Sequence, residues 1–313
     1  MTSSSSSSDG MFAPGDGVGG AACTAAPAAS APAFTEGFIE RERGLRLYQC
    51  ELAPRADAEQ GGAVLAVMHG YGEHCRRYDE LAGYLVGRGH VVCRLDARGH
   101  GRSQGQRGHV RRYEEYLDDF AVFVAAVAQR HAPRPLFVLG HSNGALIAAR
   151  AMQRGLAGVR GLVLTGPLLG LRPRHRPVPD GVARALSFAL PRLPLPSGLD
   201  AAELTHDPAL RDAHARDPWV NRVATPRWYW SATLAGRAAL AQASRLSVPL
   251  LVVQGQDDPI VEPSLAAQLC ERASASDKRF IGRPGELHEV LNEVQRAELF
   301  AIIADWVEQR AVA

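Results

Sequence analysis

Lysine is almost missing from this chain: Lys278 stands alone among 313 residues, and arginine carries nearly all of the positive charge. The formal net charge is only +2, and no block of like charges occurs, which removes the electrostatic footprint of a nucleic-acid-binding protein. Nowhere do eighteen apolar residues follow one another, so no membrane-spanning helix is expected. Cysteine is sparse as well. Cys23, Cys50, Cys75, Cys93 and Cys270 are odd in number and show no C-x-x-C spacing. That argues against a disulfide framework or a zinc motif and for reduced thiols in a cytoplasmic protein. No secretory signal is expected either, because no Lys or Arg precedes Arg41 and serines from Ser3 to Ser8 stand where an apolar core would be needed. Ala21-Ala22-Cys23 has the outline of a lipoprotein cleavage site but not the lead-in.

What is present is a large apolar share, 46% of residues, with a mean hydropathy near zero, enough to fill a sizeable core. Residues 1–34 are rich in Ser, Gly, Ala and Pro without periodicity and read as a disordered tail. Beyond them, short apolar runs alternate with amphipathic stretches. Arg46 to Leu52 alternates with period two, as a half-buried strand does, and Ala63 to Met68 is continuously apolar, as in a strand covered on both faces. Further strands are expected at His90 to Leu95, Leu136 to Leu139, Leu162 to Leu164, Pro249 to Val253 and 278–281. Helices are expected at Arg77 to Gly87, Tyr113 to His131, Ala145 to Gln153, 263–273 and 294–310. Between 168 and 245 strand runs disappear, prolines accumulate, and helical pieces fall near 182–190, 208–215 and 227–243. The pattern predicts a mostly parallel central sheet flanked by helices, with core segments 35–167 and 246–313 and a helical cap at 168–245 inserted after the sixth strand.

The segment Gly140-His141-Ser142-Asn143-Gly144 carries the chemistry. A serine hydroxyl is a poor nucleophile unless it is well presented and a base takes its proton. Gly-x-Ser-x-Gly provides the presentation, on a sharp turn whose glycines let neighbouring backbone pass close by. The five-residue pattern alone is weak, but here an apolar strand enters it and a helix-forming run leaves it. Ser142 is therefore the expected nucleophile. The acid and then the base should follow on loops at later strand ends. Asp257 and Asp258 both lie in the loop after Pro249 to Val253; Asp258 is favoured because it precedes Pro259, which biases it to an extended conformation. His288, after the strand near 278–281, is the expected base. Backbone N–H groups of Tyr71 and Asn143 are the expected oxyanion donors.

These stretches resemble the monoacylglycerol lipase and lysophospholipase branch of the α/β-hydrolase superfamily, with its serine aminopeptidase S33-type domain. The resemblance runs through His69-Gly70-Tyr71-Gly72-Glu73-His74 with Arg77-Tyr78, and Asp96-Ala97-Arg98-Gly99-His100-Gly101-Arg102-Ser103 on to Gly108. It continues in the serine turn, in Leu204-Thr205-His206-Asp207 with Asp217-Pro218, and in the loops of Asp258 and His288. It covers about residues 37–310. It implies an α/β-hydrolase fold, ester hydrolysis through an acyl-enzyme, no cofactor and no metal, and a small ester substrate, a monoacyl lipid above all. Glu73, His74, Asp96, Arg98 and His100 would brace the loops around the turn. Asn143 stands where Met is frequent in the branch, and Val261 where some relatives have cysteine. The apolar stretches 182–190 and 193–196 and Trp228-Tyr229-Trp230 offer walls for an acyl chain, or simply the contact between cap and core, and the cap could touch a membrane surface. Short-chain carboxylesterase, acyltransferase and aminopeptidase activities, or a non-catalytic receptor on the same fold, remain open at this stage. The sequence leaves the oligomeric state undetermined.

Overall fold

A computed structural model describes residues 31–55 and 62–312. It opens with an antiparallel pair, β1 (Ala33–Glu40) and β2 (Arg46–Ala53). Alternation follows through β3 (Val64–Met68), α1 (Asp79–Gly87), β4 (Val91–Leu95), α2 (Glu114–His131), β5 (Leu136–His141), α3 (Asn143–Gln153) and β6 (Val159–Thr165). An insertion then carries α4 (Asp180–Ala189), β7 (Leu195–Pro196), α5 (Pro208–Arg216), β8 (Val223–Ala224) and α6 (Pro226–Ala241). The chain returns to the sheet with β9 (Leu250–Gly255), α7 (Pro263–Arg272), β10 (Lys278–Arg283) and α8 (Arg296–Ala311).

Eight strands form one sheet in the order β1-β2-β4-β3-β5-β6-β9-β10. From β4 to β10 all neighbours are parallel, and only β1 and β2 run against their partners. Parallel strands need crossover helices, and these cover both faces. The continuous apolar run of β3 follows from that. Val64, Ala66 and Met68 join Phe120 and Phe123 of α2 and Leu146 of α3 on one face, while Leu65 and Val67 meet Leu85 of α1 and Ile303 of α8 on the other. Each of these side chains larger than Ala66 contributes about 1.5–3 kcal/mol by leaving water.

The α/β-hydrolase architecture expected from the sequence is the one observed, with three corrections. First, the assigned tail 1–34 ends too late. Residues 1–30 lie outside the described residues, but Ala33 and Phe34 already belong to β1. That strand escapes a hydrophobicity reading because it is an edge strand with little buried on either face. Its register with β2, from Ala33 opposite Ala53 to Glu40 opposite Arg46, holds it. Arg76 over Phe34 and Arg46 over Phe38 cover its aromatic side chains. Second, the insertion is not purely helical, since β7 and β8 pair as a small antiparallel ribbon. Third, the chain at Arg77 forms a short 3-10 turn, Cys75–Tyr78, before α1 begins.

The insertion's helices start where the sequence provides caps. Asp207 accepts the N–H groups of Ala209 and Leu210 ahead of α5, and Thr225 accepts that of Trp228 ahead of α6; each cap is followed by proline in the first turn. Cys50, Cys75, Cys93 and Cys270 are free thiols, with the Cys50 and Cys75 sulfurs 3.6 Å apart; Cys23 lies outside the described residues. No helix of the described residues is long and apolar enough to cross a membrane.

Candidate active site

The central strand β5 ends at His141, and α3 begins at Asn143, so Ser142 alone makes the turn. It does so at φ 51° and ψ −114°, a left-handed conformation that a residue with a Cβ adopts only when its surroundings impose it. Both flanking glycines are required by the same turn. A Cβ on Gly140 would lie 2.5 Å from the Gly144 carbonyl oxygen, and one on Gly144 would run into the Met68 and His69 carbonyl oxygens. The elbow is thus pressed against the end of β3, where the candidate oxyanion loop begins.

Three of the expected residues meet at the C-terminal ends of the strands. The Ser142 hydroxyl donates to Nε2 of His288 at 2.8 Å, and Nδ1–H of His288 donates to Oδ2 of Asp258 at 2.6 Å. Asp258 is fully buried and its remaining acceptor sites are filled. Oδ1 takes the N–H groups of Ile260 (2.8 Å) and Val261 (3.0 Å), and Oδ2 takes a Gln254 side-chain N–H at 2.9 Å. Its neighbour Asp257 is exposed. Burial opposes the charge on Asp258, but His288 and the two backbone donors outweigh it, and the carboxyl titrates below its ordinary range. The reverse holds for His288. Burial disfavours the imidazolium, yet Asp258 beside it prevails and raises the pKa above the ordinary value. The pair is thus organised to hold a positive charge on His288.

The loop after β3 is braced from several sides. Glu73 Oε1 accepts the Gly70 N–H (2.5 Å) and the Tyr78 hydroxyl (2.7 Å). His69 accepts the Ala97 N–H (2.9 Å) and bonds the Gly70 carbonyl (2.7 Å). A Cβ on Gly70 would come within 3.1 Å of both the Ser142 Cβ and the His141 ring, so this backbone lies directly over the serine and only glycine fits. The next amide is that of Tyr71, one of the two expected oxyanion donors. The other, Asn143 N–H, is the first of α3, where an α-helix has no internal acceptor for it. The Asn143 side chain points away, its Oδ1 accepting the Tyr113 hydroxyl at 2.8 Å.

The residues expected to brace the loops do so. Asp96 accepts N–H groups of Cys75 and Arg102, both at 2.7 Å. Arg98 binds Asp119 through two nitrogens (2.6 and 2.8 Å), and His74 reaches across to Asp217 of the insertion at 2.7 Å. An unforeseen ion group lies beneath His288. Arg77 bonds Glu289 (2.6 Å) and Glu73 (3.3 Å), all three buried. Burial disfavours the Glu289 charge, but Arg77 overcomes this and lowers its pKa. Arg77 and Glu289 are 212 residues apart, so no local pattern announces their contact.

A cavity of about 340 Å³ opens from Ser142 and His288 between core and insertion. The walls offered by the sequence divide. Ala183 and Leu186 face the cavity with Leu168, Leu204 and Ile260; Leu195 and Pro196 line it although they are exposed, and Val182, Phe188, Leu190 and Leu193 are exposed and do not line it. Trp228 and Tyr229 line it but Trp230 does not. Trp228 stacks on Tyr71 with ring centroids 3.6 Å apart, and the Tyr71 hydroxyl donates to the Val223 carbonyl at 2.6 Å. Buried His214, on α5, also lines the cavity, and no sequence motif singles it out.

Residues 59–295 match the family model described as serine aminopeptidase, S33. The chain is 33% identical to a monoacylglycerol lipase of Mycolicibacterium smegmatis, over 84% of this chain and 93% of that one. It is 30% identical to lysophospholipase L2 of Escherichia coli, over 76% and 78% respectively. Among solved structures, the monoacylglycerol lipase of Paleococcus ferrophilus superposes with a TM-score of 0.76 at 26% identity, covering 84% of this chain and 99% of that one.

Proposed function

Because this chain belongs to the serine aminopeptidase S33 family of α/β-hydrolases, we propose that it cleaves monoacyl lipid esters, monoacylglycerols or lysophospholipids, with Ser142, His288 and Asp258 as its triad. The relatives make the protein a carboxylic ester hydrolase. The observation that carries the proposed monoacyl-ester activity is the unbroken hydrogen-bond chain from the Ser142 hydroxyl through His288 to buried Asp258, at the foot of an apolar cavity.

Chemistry follows from those contacts. As Ser142 Oγ attacks the ester carbonyl, its proton passes to Nε2 of His288, and Asp258 stabilises the imidazolium. The negative charge moving onto the carbonyl oxygen is met by the N–H groups of Tyr71 and Asn143, fixed in place beforehand by the braced loop and the helix start. His288 returns its proton to the departing alcohol, leaving an acyl-enzyme. It then takes a proton from the water that attacks that ester, and collapse frees the acid and Ser142. Each buried methylene of the acyl chain adds about 0.8 kcal/mol of binding against walls such as Leu186 and Leu204.

One feature favours an ester over a peptide with a free amino terminus. The carboxylates lining the cavity, Glu73 and Glu289, are both engaged by Arg77. No acid among the described lining residues is left to hold an ammonium group. The outward half of the insertion supports contact with a lipid surface. Phe188, 64% exposed, stands with Leu190 and Leu193 beside exposed Arg184 and Arg192, an apolar patch with a cationic border suited to anionic headgroups.

The test is a turnover panel of monoacylglycerols, lysophospholipids, p-nitrophenyl esters of graded chain length and peptide anilides, run on the wild type and on Ser142→Ala. Long-chain monoacyl substrates should lead, and Ser142→Ala should lower kcat by roughly 10³–10⁶-fold with the fold retained. A preference for anilides, or near-normal turnover in the variant, would overturn the reading.

A further inference from the structure

At the middle of β4, three different metal-ligating side chains converge. Glu51 of β2 and Cys93 of β4 are direct cross-strand partners, and His131 closes α2 above them. Glu51 Oε2 lies 3.0 Å from His131 Nε2 and 3.4 Å from Cys93 Sγ, and Cys93 Sγ lies 3.7 Å from His131 Nε2. We propose that Glu51, Cys93 and His131 form a binding site for a borderline-soft divalent cation, zinc by the nature of its ligands.

The geometry is the argument. Zinc holds thiolate sulfur at about 2.3 Å, imidazole nitrogen at about 2.05 Å and carboxylate oxygen at about 2.0 Å, in a tetrahedron. The edges of that tetrahedron are about 3.5 Å for S···N, 3.5 Å for S···O and 3.3 Å for N···O, from the same bond lengths. The three observed separations each fall within a few tenths of an ångström of these, so side-chain adjustment alone would seat an ion. A mixed sulfur, nitrogen and oxygen set suits zinc rather than magnesium or calcium, which prefer oxygen throughout. Three protein ligands leave the fourth vertex for water, and the side chains of Glu51 and His131, 13% and 14% exposed, give it access.

The apo cluster is also arranged as a place that attracts positive charge. One oxygen, Glu51 Oε2, accepts from His131, from the Cys93 thiol and from Arg130 Nη1 at 2.9 Å. Arg130, 42% exposed, is the resident cation and would swing into solvent when the metal enters. Binding releases the Cys93 thiol proton to solvent and leaves His131 neutral, protonated on Nδ1. Zinc, thiolate and carboxylate then sum to zero charge. Burial and the Glu51 charge hold the Cys93 thiol up in the metal-free protein, and the ion reverses both effects. The site would tie the antiparallel β2 edge to β4 and to the end of α2, remote from the ester chemistry.

The experiment uses the full chain, freed of metal by dialysis. Titration with Co²⁺ should give a near-ultraviolet thiolate-to-cobalt charge-transfer band, and zinc should be retained at one equivalent and raise Tm. Cys93→Ser should abolish the band. Cys93→Ser and His131→Gln should each weaken zinc binding by more than the roughly 10–100-fold that loss of an outer-shell partner costs. His131→Gln alters a partly exposed helix end and keeps the test available if Cys93→Ser does not fold. Arg130→Ala, which removes the competing cation and no ligand, should bind zinc as tightly or more so, and Ser142→Ala should bind as the wild type does. A wild type without the band, ligand variants that retain their zinc, or zinc binding lost in Arg130→Ala would overturn the proposal.

Discussion

Replacing Asp258 by asparagine removes one acceptor and little volume, and the structure shows where the loss would fall. The native carboxylate receives four donors. Ile260 and Val261 point N–H groups at Oδ1, while His288 and Gln254 point theirs at Oδ2. An asparagine carbonyl can satisfy one side only. With its oxygen kept toward the two backbone amides, its NH₂ group faces the His288 ring. The imidazole avoids that donor–donor clash by moving its proton to Nε2. There it points at Ser142 Oγ, which needs an acceptor. The wrong tautomer costs about 10⁴-fold in kcat in such triads, or about 5 kcal/mol of transition-state stabilisation. Asp257→Asn, at an exposed side chain one residue away, should change kcat by less than about twofold, since surface substitutions of this kind alter little. Steady-state hydrolysis of a p-nitrophenyl ester by both variants, with Tm measured in parallel, decides the matter. A loss below tenfold in Asp258→Asn, or a larger loss in Asp257→Asn, would refute the reasoning.

Four further outcomes are expected. His288 must be neutral to accept the Ser142 proton, and its pKa is raised. The acidic limb of kcat/KM against pH should therefore lie above the ordinary histidine value of about 6.5 and move down in Asp258→Asn; a wild-type limb below that value would contradict the ion pair. The same two shifts act on stability with opposite signs. The Asp258 contribution is lost as pH falls through its depressed pKa, and the His288 contribution is lost as pH rises through its elevated one. Both are fully present only between about pH 4 and 6.5, the ordinary values of the two groups, and a Tm–pH profile of the wild type against Asp258→Asn should show the difference largest in that window. Gly144→Ala drives a Cβ into the Met68 and His69 carbonyls and should cost about 1–3 kcal/mol by denaturation, with activity falling further than stability because Ser142 moves. Leu186→Trp fills part of the cavity and should shift the chain-length optimum of graded esters to shorter acyl groups; an unchanged profile would remove Leu186 from the acyl path.

What could be read from the sequence follows from how local each signal is. The strand before Ser142, the glycines around it and the helix after it are contiguous, and burial on both faces writes β3 and β5 as apolar runs. Asp258 and His288 were readable by order along the chain, since each follows a strand of the same alternation. β1 was not, because an edge strand held by backbone pairing needs no apolar face. The outward turn of Phe188 and Leu190 was hidden for the opposite reason. A helix apolar on more than one side does not say which side meets the core. Arg77 with Glu289, and Glu51 with Cys93 and His131, were invisible because the fold alone brings such distant positions together.

The stack of Trp228 on Tyr71 bears on how this molecule could be rebuilt. Tyr71, whose amide we propose as an oxyanion donor, is gripped through its ring and hydroxyl by the inserted segment. Cap and catalytic core are therefore not interchangeable parts. A foreign cap grafted between β6 and β9 to change substrate range would arrive without the indole and carbonyl that hold position 71, and would loosen the donor it was never meant to touch. Transplanting the insertion together with residue 71 treats the two as one inherited unit, and library designs that vary them jointly should yield active chimaeras where cap exchange alone does not.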